Sequence, residues 1–331
     1  MRDDLHIDYR VIANGEDVTR LLSDRLVILT IVDEAGTKSD TLEITIDDRG
    51  YRVELPETGA VLEVELGFRQ RGRMSMGRFV VDEVTGSGPP DQMVIKAKAA
   101  DMRSAIKSPK TRAWKQKSLP QIVAQIAVEH GLEPAVSPAL NGAFYGYLAQ
   151  TSESDLHFLT RLARDLDARV KPASGHLVVV KAGEGTDTTG AALPVPQIGR
   201  GDLVSWDWEV TGRGRFESAT AEWSEPGTAT VHKVTAGAGD LAQKLRHRYP
   251  SEAEATRAAE AAVARSKRAS GTLDLALAGF HGALSAEMKI NVQGIKPELC
   301  GEWTITRVDH TLSDTLTTRL AAERDNEKGK S

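Results

Sequence analysis

The chain has 331 residues, 40% of them hydrophobic and 27% charged, which is ordinary usage for a soluble globular protein. That length suits roughly two to three domains, and a net charge of −5 with 5% aromatics argues against bulk nucleic-acid binding and sugar- or base-stacking sites. A single cysteine, Cys300, excludes an intramolecular disulfide and a cysteine-rich metal site, which fits a reducing compartment.

The opening MRDDLHIDYR lacks the apolar core of a signal peptide. No uncharged apolar run reaches the ~18 residues of a membrane span, so neither export by the usual route nor membrane anchoring is expected. Residues 1–100 then alternate in the β manner. Runs at 8–12, 26–32, 41–46, 61–66, 78–84 and 93–97 are rich in Val, Ile, Leu and Thr, and turn signals such as Asn14-Gly15 separate them. Strands at this spacing predict a small barrel or sandwich.

The character changes over 101–182. Ser118 caps a predicted helix whose buried face is Ile122, Val123, Ile126 and Ala127, with Gly131 as its stop. Ser152 and Asp155 have the spacing of a capping box, and Leu156, Leu159, Leu162, Ala163 and Leu166 follow as one apolar helical stripe. Pro172 and Gly175 end that helix, and a short strand follows at 177–180. This stretch reads as a compact α+β insertion.

Residues 183–201 have linker composition. Strands resume at 202–210, 216–223 and 228–235, and Ser251 with Glu254 opens an Ala-rich helix over 251–269. Three or four further strands complete a second barrel over 202–325, and 326–331 forms a frayed tail. The fold class is therefore mainly β: two similar small β-barrel domains separated by a helix-containing insertion.

The similarity lies in an internal echo. Gly77-Arg78-Phe79-Val80-Val81-Asp82-Glu83-Val84 aligns with Gly301-Glu302-Trp303-Thr304-Ile305-Thr306-Arg307-Val308. Flanking strands match in the same order, 62–66 with 288–292 and 93–97 with 316–320.

Catalytic patterns are absent from the sequence. The eight histidines are scattered, and no H-E-x-x-H, G-x-S-x-G or P-loop occurs. Ser152, Asp155 and His157 sit close in sequence, but a triad needs groups converging from separate elements, and the cap explains the first two. Gly212-Arg213-Gly214 reads as a hairpin turn, and Cys300 as a small buried hydrophobe. No catalytic residue, metal or cofactor is expected. The strongest surface signal is the basic run at 107–117, with Lys107, Lys110, Arg112, Trp114 and Lys115; Arg69, Arg71 and Arg73 form a second patch. Each reads either as a protein interface or as a solvated loop, the first with Trp114 packed on its own domain; both alternatives rank above DNA.

Several of these segments together resemble a known family. They are 76–84 with the 86–90 turn, Ala99-Ala100-Asp101, 108–114, 122–132, 148–166, and Gly301-x-Trp303-x-Ile305-x-x-Val308-x-His310. In order and spacing they resemble the phage late control gene D proteins, the baseplate hub proteins of contractile tails, over about residues 5–325. The resemblance implies a structural, non-enzymatic homotrimer with pseudo-sixfold symmetry. Such a ring joins a hexameric tail tube to a trimeric spike, contacts other baseplate proteins, and at most lets DNA pass through its lumen. Related domains form the N-terminal part of VgrG spike proteins, and here the spike is expected as a separate polypeptide. The expected location is the tail baseplate of a virion or tail-like particle assembled in the bacterial cytoplasm. Two alternatives are a tail-associated peptidoglycan hydrolase and a DNA-binding control protein.

Overall fold

The computed structural model describes residues 5–36, 39–100, 104–173, 175–183, 185, 191, 194–210, 216–225, 230–268 and 271–324. The tail at 326–331, the linker positions 184, 186–190 and 192–193, and the turn at 212–214 lie outside them.

The first β region comprises β1 (Ile7–Ala13), β2 (Glu16–Asp17), a short α1 (Thr19–Leu22), β3 (Leu26–Glu34), β4 (Thr41–Asp47), β5 (Val61–Phe68), β6 (Gly72–Ser87) and β7 (Gln92–Ala99). The insertion comprises β8 (Pro109–Ser118), α2 (Leu119–Glu129), β9 (Glu133–Val136), β10 (Phe144–Ser154), α3 (Asp155–Arg164), β11 (Ala168–Ala173) and β12 (His176–Lys181). Then follow β13 (Gln197–Ile198), β14 (Leu203–Val210), β15 (Ser218–Ser224), β16 (Val231–Gly237), β17 (Ala242–Tyr249), α4 (Glu252–Arg268), β18 (Gly271–Leu277), β19 (Lys289–Val292), β20 (Gly301–Leu312) and β21 (Leu316–Arg324).

The chain is mostly β with an α+β insertion, but two closed barrels do not form. Among the described residues the two β regions join into one sheet, ordered β14-β18-β21-β20-β3-β4-β7-β6-β5-β1-β2, with β19 and β13 attached beside β20. The seam is β20 against β3, antiparallel, with His310 opposite Ile31. Leu29, Ile31, Leu312 and Leu316 pack in the same apolar core beside it, and burial of these side chains favours the joint over closure of either half alone.

The internal echo is real in the backbone. In both halves a glycine with positive φ opens the repeated strand segment, Gly77 at +108° and Gly301 at +115°, a conformation that side-chain-bearing residues rarely adopt. Two residues on, Phe79 stands opposite Leu62 and Trp303 opposite Ile290. Pairing with the following strand then slips between Val81 and Glu83 in one half and between Ile305 and Arg307 in the other. The β3–β4 ladder slips between Leu26 and Ile28, and the β14–β18 ladder between Leu203 and Ser205. Thus β3, β4, β5, β6 and β7 correspond to β14, β18, β19, β20 and β21, neighbour for neighbour. The flanking matches are two residues off those expected from sequence: Leu62 corresponds to Ile290 and Met93 to Thr318. Apolar alternation repeats every two residues, so it cannot by itself distinguish registers two apart.

The strands at 218–249 do not enter the main sheet. They form a separate sheet, β16-β15-β17, with α4 laid on it. Its core is Ala219, Ala221, Tyr249 and the alanine face of α4, and the small side chains let helix and sheet approach closely. As expected, Ser251 caps α4: its Oγ accepts from the Glu254 N–H at 3.3 Å. The insertion has its own core around Trp114, Ile122, Ile126, Phe158 and Leu159. It docks on the main sheet through ion pairs, Lys171 to Asp33 (2.6 Å) and Asp40 (2.7 Å), and Arg169 to Glu287 (3.0 Å) and Glu323 (2.9 Å).

Candidate assembly surfaces

The basic run is a strand, and the strand's alternation divides it. Positions 110, 112 and 114 of β8 face inward, whereas Lys115 is exposed on the other face and Lys107 lies exposed just ahead. Trp114 is 3% exposed, stacks on Phe158 with ring centroids 5.7 Å apart, and carries the Arg112 guanidinium over its face. It is a core residue and offers no surface to a partner.

Lys110 and Arg112 are already paired inside the chain. The Asp155 carboxylate, sealed from solvent, accepts from Lys110 Nζ at 2.6 Å, Arg112 Nη2 at 2.5 Å and Gln150 Nε2 at 2.8 Å, with His130 Nε2 at 2.8 Å. Glu129 takes the second nitrogen of Arg112 at 2.6 Å and also Lys110 at 2.9 Å. Burial works against the charged form of Asp155, but these donors and the Arg112 charge outweigh it and hold its carboxyl at about 2. Glu129, His130 and Asp155 are spaced like metal ligands. Lys110 and Arg112 occupy the lone pairs that an ion would use, so the cluster is a neutralised structural network.

That network also corrects the expected cap. The N-cap of α3 is Ser154, whose Oγ accepts from the His157 N–H at 3.2 Å, while Asp155 turns inward to the cations. Ser152 sits at a bulge of the β8–β10 pair with φ +48°. His157 is exposed and lies 3.6 Å from Glu153, so Ser152, Asp155 and His157 do not converge.

Arg69 and Arg71 lie exposed at the β5–β6 turn with no side-chain partner among the described residues. Arg73 is engaged by Asp8 at 3.3 Å and Glu65 at 3.2 Å. Among the described residues no hydrogen bond or ion pair engages the side chains of Arg69, Arg71, Lys107 or Lys115, although the Lys107 charge helps to lower the Asp82 carboxyl. A further cleft of about 550 Å³ is lined by Arg161, Arg164, Asp165, Arg246, Tyr249 and Arg265. It offers guanidinium donors, and the Tyr249 hydroxyl within it donates to Asp165 at 3.2 Å. His310 Nδ1 does lie 3.1 Å from Thr318 Oγ1, but both are sealed in the core, and burial pulls the imidazole down to about 4.

Two features of the main sheet had no signal in the sequence. The segment 83–87 of β6 pairs only with β7, and β14 pairs only with β18. Each leaves an edge that no strand covers among the described residues. On β14 that edge carries Val204, Trp208 and Val210, which are 69%, 47% and 51% exposed. Unpaired edges bearing apolar side chains are the usual seats of strand addition.

The chain thus carries a continuous duplicated β sheet with open edges, and among the described residues no helix is long and apolar enough to cross a membrane. Residues 57–316 match the family model described as phage tail baseplate hub (GPD), and the chain belongs to that family. It is 30% identical over 358 residues to the "Probable baseplate hub protein" of Escherichia phage P2, covering 96% of this chain and 92% of that protein. Among solved structures, the prophage MuSo2 43 kDa tail protein from Shewanella oneidensis superposes with a TM-score of 0.74 at 16% identity, covering 97% of this chain and 99% of that one. An E. coli component of the type VI secretion system, described as structurally similar to T4 tail proteins gp27 and gp5, superposes with a TM-score of 0.53 at 15% identity, covering 92% and 75%. The protein is thus a structural baseplate hub protein of a phage tail or tail-like particle.

Proposed function

We propose that three copies of the chain close into a ring that adapts a sixfold tail tube to a threefold spike. The observation that supports this is the duplication: two repeats share strand order, glycine kinks and ladder slips. Three chains then present six near-equivalent positions to the tube and three identical ones to the spike. The contact between copies is heterologous, so the ring closes when the rotation per chain is a third of a turn. The ring acts by shape: its lumen passes tail contents, and no bond is made or broken by the chain. Arg69, Arg71, Lys107 and Lys115 are free to meet acidic groups of the spike or of neighbouring baseplate proteins. The ring belongs to the baseplate and assembles in the bacterial cytoplasm before release.

The test is native mass spectrometry of the chain alone and with the tail-spike and tail-tube proteins of its own particle. A three-chain species is expected, either alone or on addition of spike. A monomer that binds neither protein contradicts the proposal.

A further inference from the structure

The seam inside the chain has an unmatched counterpart at each free edge. Within the seam, the distal half of β20 lies antiparallel to β3, with Val308 opposite Asp33, Asp309 opposite Val32, His310 opposite Ile31 and Thr311 opposite Thr30. The repeat equivalence carries β20 onto β6, because both slip at the same place against the following strand. It carries β3 onto β14 for the same reason. The distal half of β6 and the outer edge of β14 are therefore the two components of a second seam, and one chain holds them at different places in its sheet. Burial follows the same pattern. Ile31 is 3% exposed in the intact seam, whereas its counterpart Trp208 is 47% exposed.

We propose that successive copies of the chain join by completing this seam: 83–87 of one copy adds antiparallel to β14 of the next. This rests on the three-chain ring proposed above and specifies its interface. Carrying the intrachain register across places Val84 opposite Val210, Thr85 opposite Glu209, Gly86 opposite Trp208 and Ser87 opposite Asp207. The His310–Ile31 pair of the seam becomes Gly86–Trp208. A large residue stands where Ile31 does and no side chain stands where His310 does, so the pair fills comparable space. Val84, Val210 and Trp208 share one face and are covered together, while Thr85, Ser87, Asp207 and Glu209 stay on the other. The sheet then runs unbroken from copy to copy, and ring closure removes the edges.

Paired cysteines read the register directly. A disulfide needs Cα atoms within about 7 Å, which directly opposed residues meet and residues two places out of register do not. The double variant Val84→Cys/Val210→Cys, oxidised across a micromolar concentration series, is expected to give covalent dimers and trimers on a non-reducing gel. Each single variant, which retains Cys300, is expected to remain a single-chain band. The out-of-register pair Val84→Cys/Trp208→Cys is expected to cross-link at least ten-fold less. As a second readout, Trp208→Lys is expected to keep the wild-type circular dichroism spectrum and lose the trimer. A wild-type trimer without the Val84–Val210 cross-link, or a Trp208→Lys trimer as stable as wild type, overturns the edge pairing and leaves the ring standing. A wild-type chain that stays monomeric with spike and tube proteins present overturns both.

Discussion

Trp303 stands opposite Ile290 as Phe79 stands opposite Leu62, and the two aromatic rings anchor equivalent points of two repeats. Each ring is almost fully buried, and Trp303 also donates its indole N–H to the Leu299 carbonyl at 2.8 Å. Removing either ring opens a cavity in a different half of one continuous sheet. Phe79→Ala and Trp303→Ala should each cost about 3–5 kcal/mol in urea unfolding. Because the seam joins the halves, both variants should still unfold in a single transition by fluorescence and circular dichroism. Two separate transitions would mean that the halves are independent.

The Asp155 network should behave as a buried charge cluster that tolerates no loss of its centre. Asp155→Ala leaves Lys110 and Arg112 with Glu129 as the one carboxylate they share in this cluster, and should cost about 3–5 kcal/mol. The depressed carboxyl of Asp155 contributes stability that is present above the carboxylate range and is lost as pH falls toward about 2. Acid unfolding followed by Trp114 fluorescence should therefore shift to higher pH in Asp155→Asn. An unchanged acid midpoint would show that the network adds nothing to stability.

The docking of the insertion should weaken as pH rises through neutrality. Burial raises the Glu287 carboxyl to about 7, with Arg169 opposing and Glu323 reinforcing the shift. Burial and the neighbouring Asp33 charge raise Asp40 as well. The folded state thus holds protons that the unfolded chain releases between the ordinary carboxylate range and about 7, so stability falls across that window. The unfolding free energy from urea titration should drop from pH 5 to pH 8 by an amount on the order of 1–3 kcal/mol, and Glu287→Gln should flatten the slope. A wild-type profile that is flat or rising there would contradict this assignment.

Much of the fold was legible in the sequence, and what was missed shares a physical cause. The six runs expected in the first region become β1 and β3 to β7, with only the two-residue β2 unforeseen, and helices α2, α3 and α4 follow from apolar stripes and caps. The strand β8 was hidden because its inward face is Lys110 and Arg112. Their burial depends on Asp155, 45 residues from Lys110, and on Glu129, 17 residues from Arg112, and no local pattern reports such partners. The same gap made the basic run look like one surface when only its outward half is. The separate sheet under α4 was also missed, since β17 is dominated by the polar and charged side chains of AQKLRHRY. The open edges follow only from the strand pairing, and their correspondence to the seam only from the ladder slips.

The exposed arginines give a narrower test of partner contact. Arg69→Glu/Arg71→Glu touches no ion pair among the described residues and should leave stability within about 0.5 kcal/mol. It should weaken binding of the spike protein, with a shallower salt dependence than wild type shows. Unchanged affinity and salt slope by calorimetry would remove these residues from the interface.

In the proposed ring, two repeats per chain build six positions from three chains. Cryo-electron microscopy of the chain bound to its spike measures this most directly. The expected map shows a ring of three chains with six near-equivalent β units around the lumen and an unbroken sheet passing between copies at 83–87 and β14. A ring of six chains, or three chains touching only through their insertions, would contradict it.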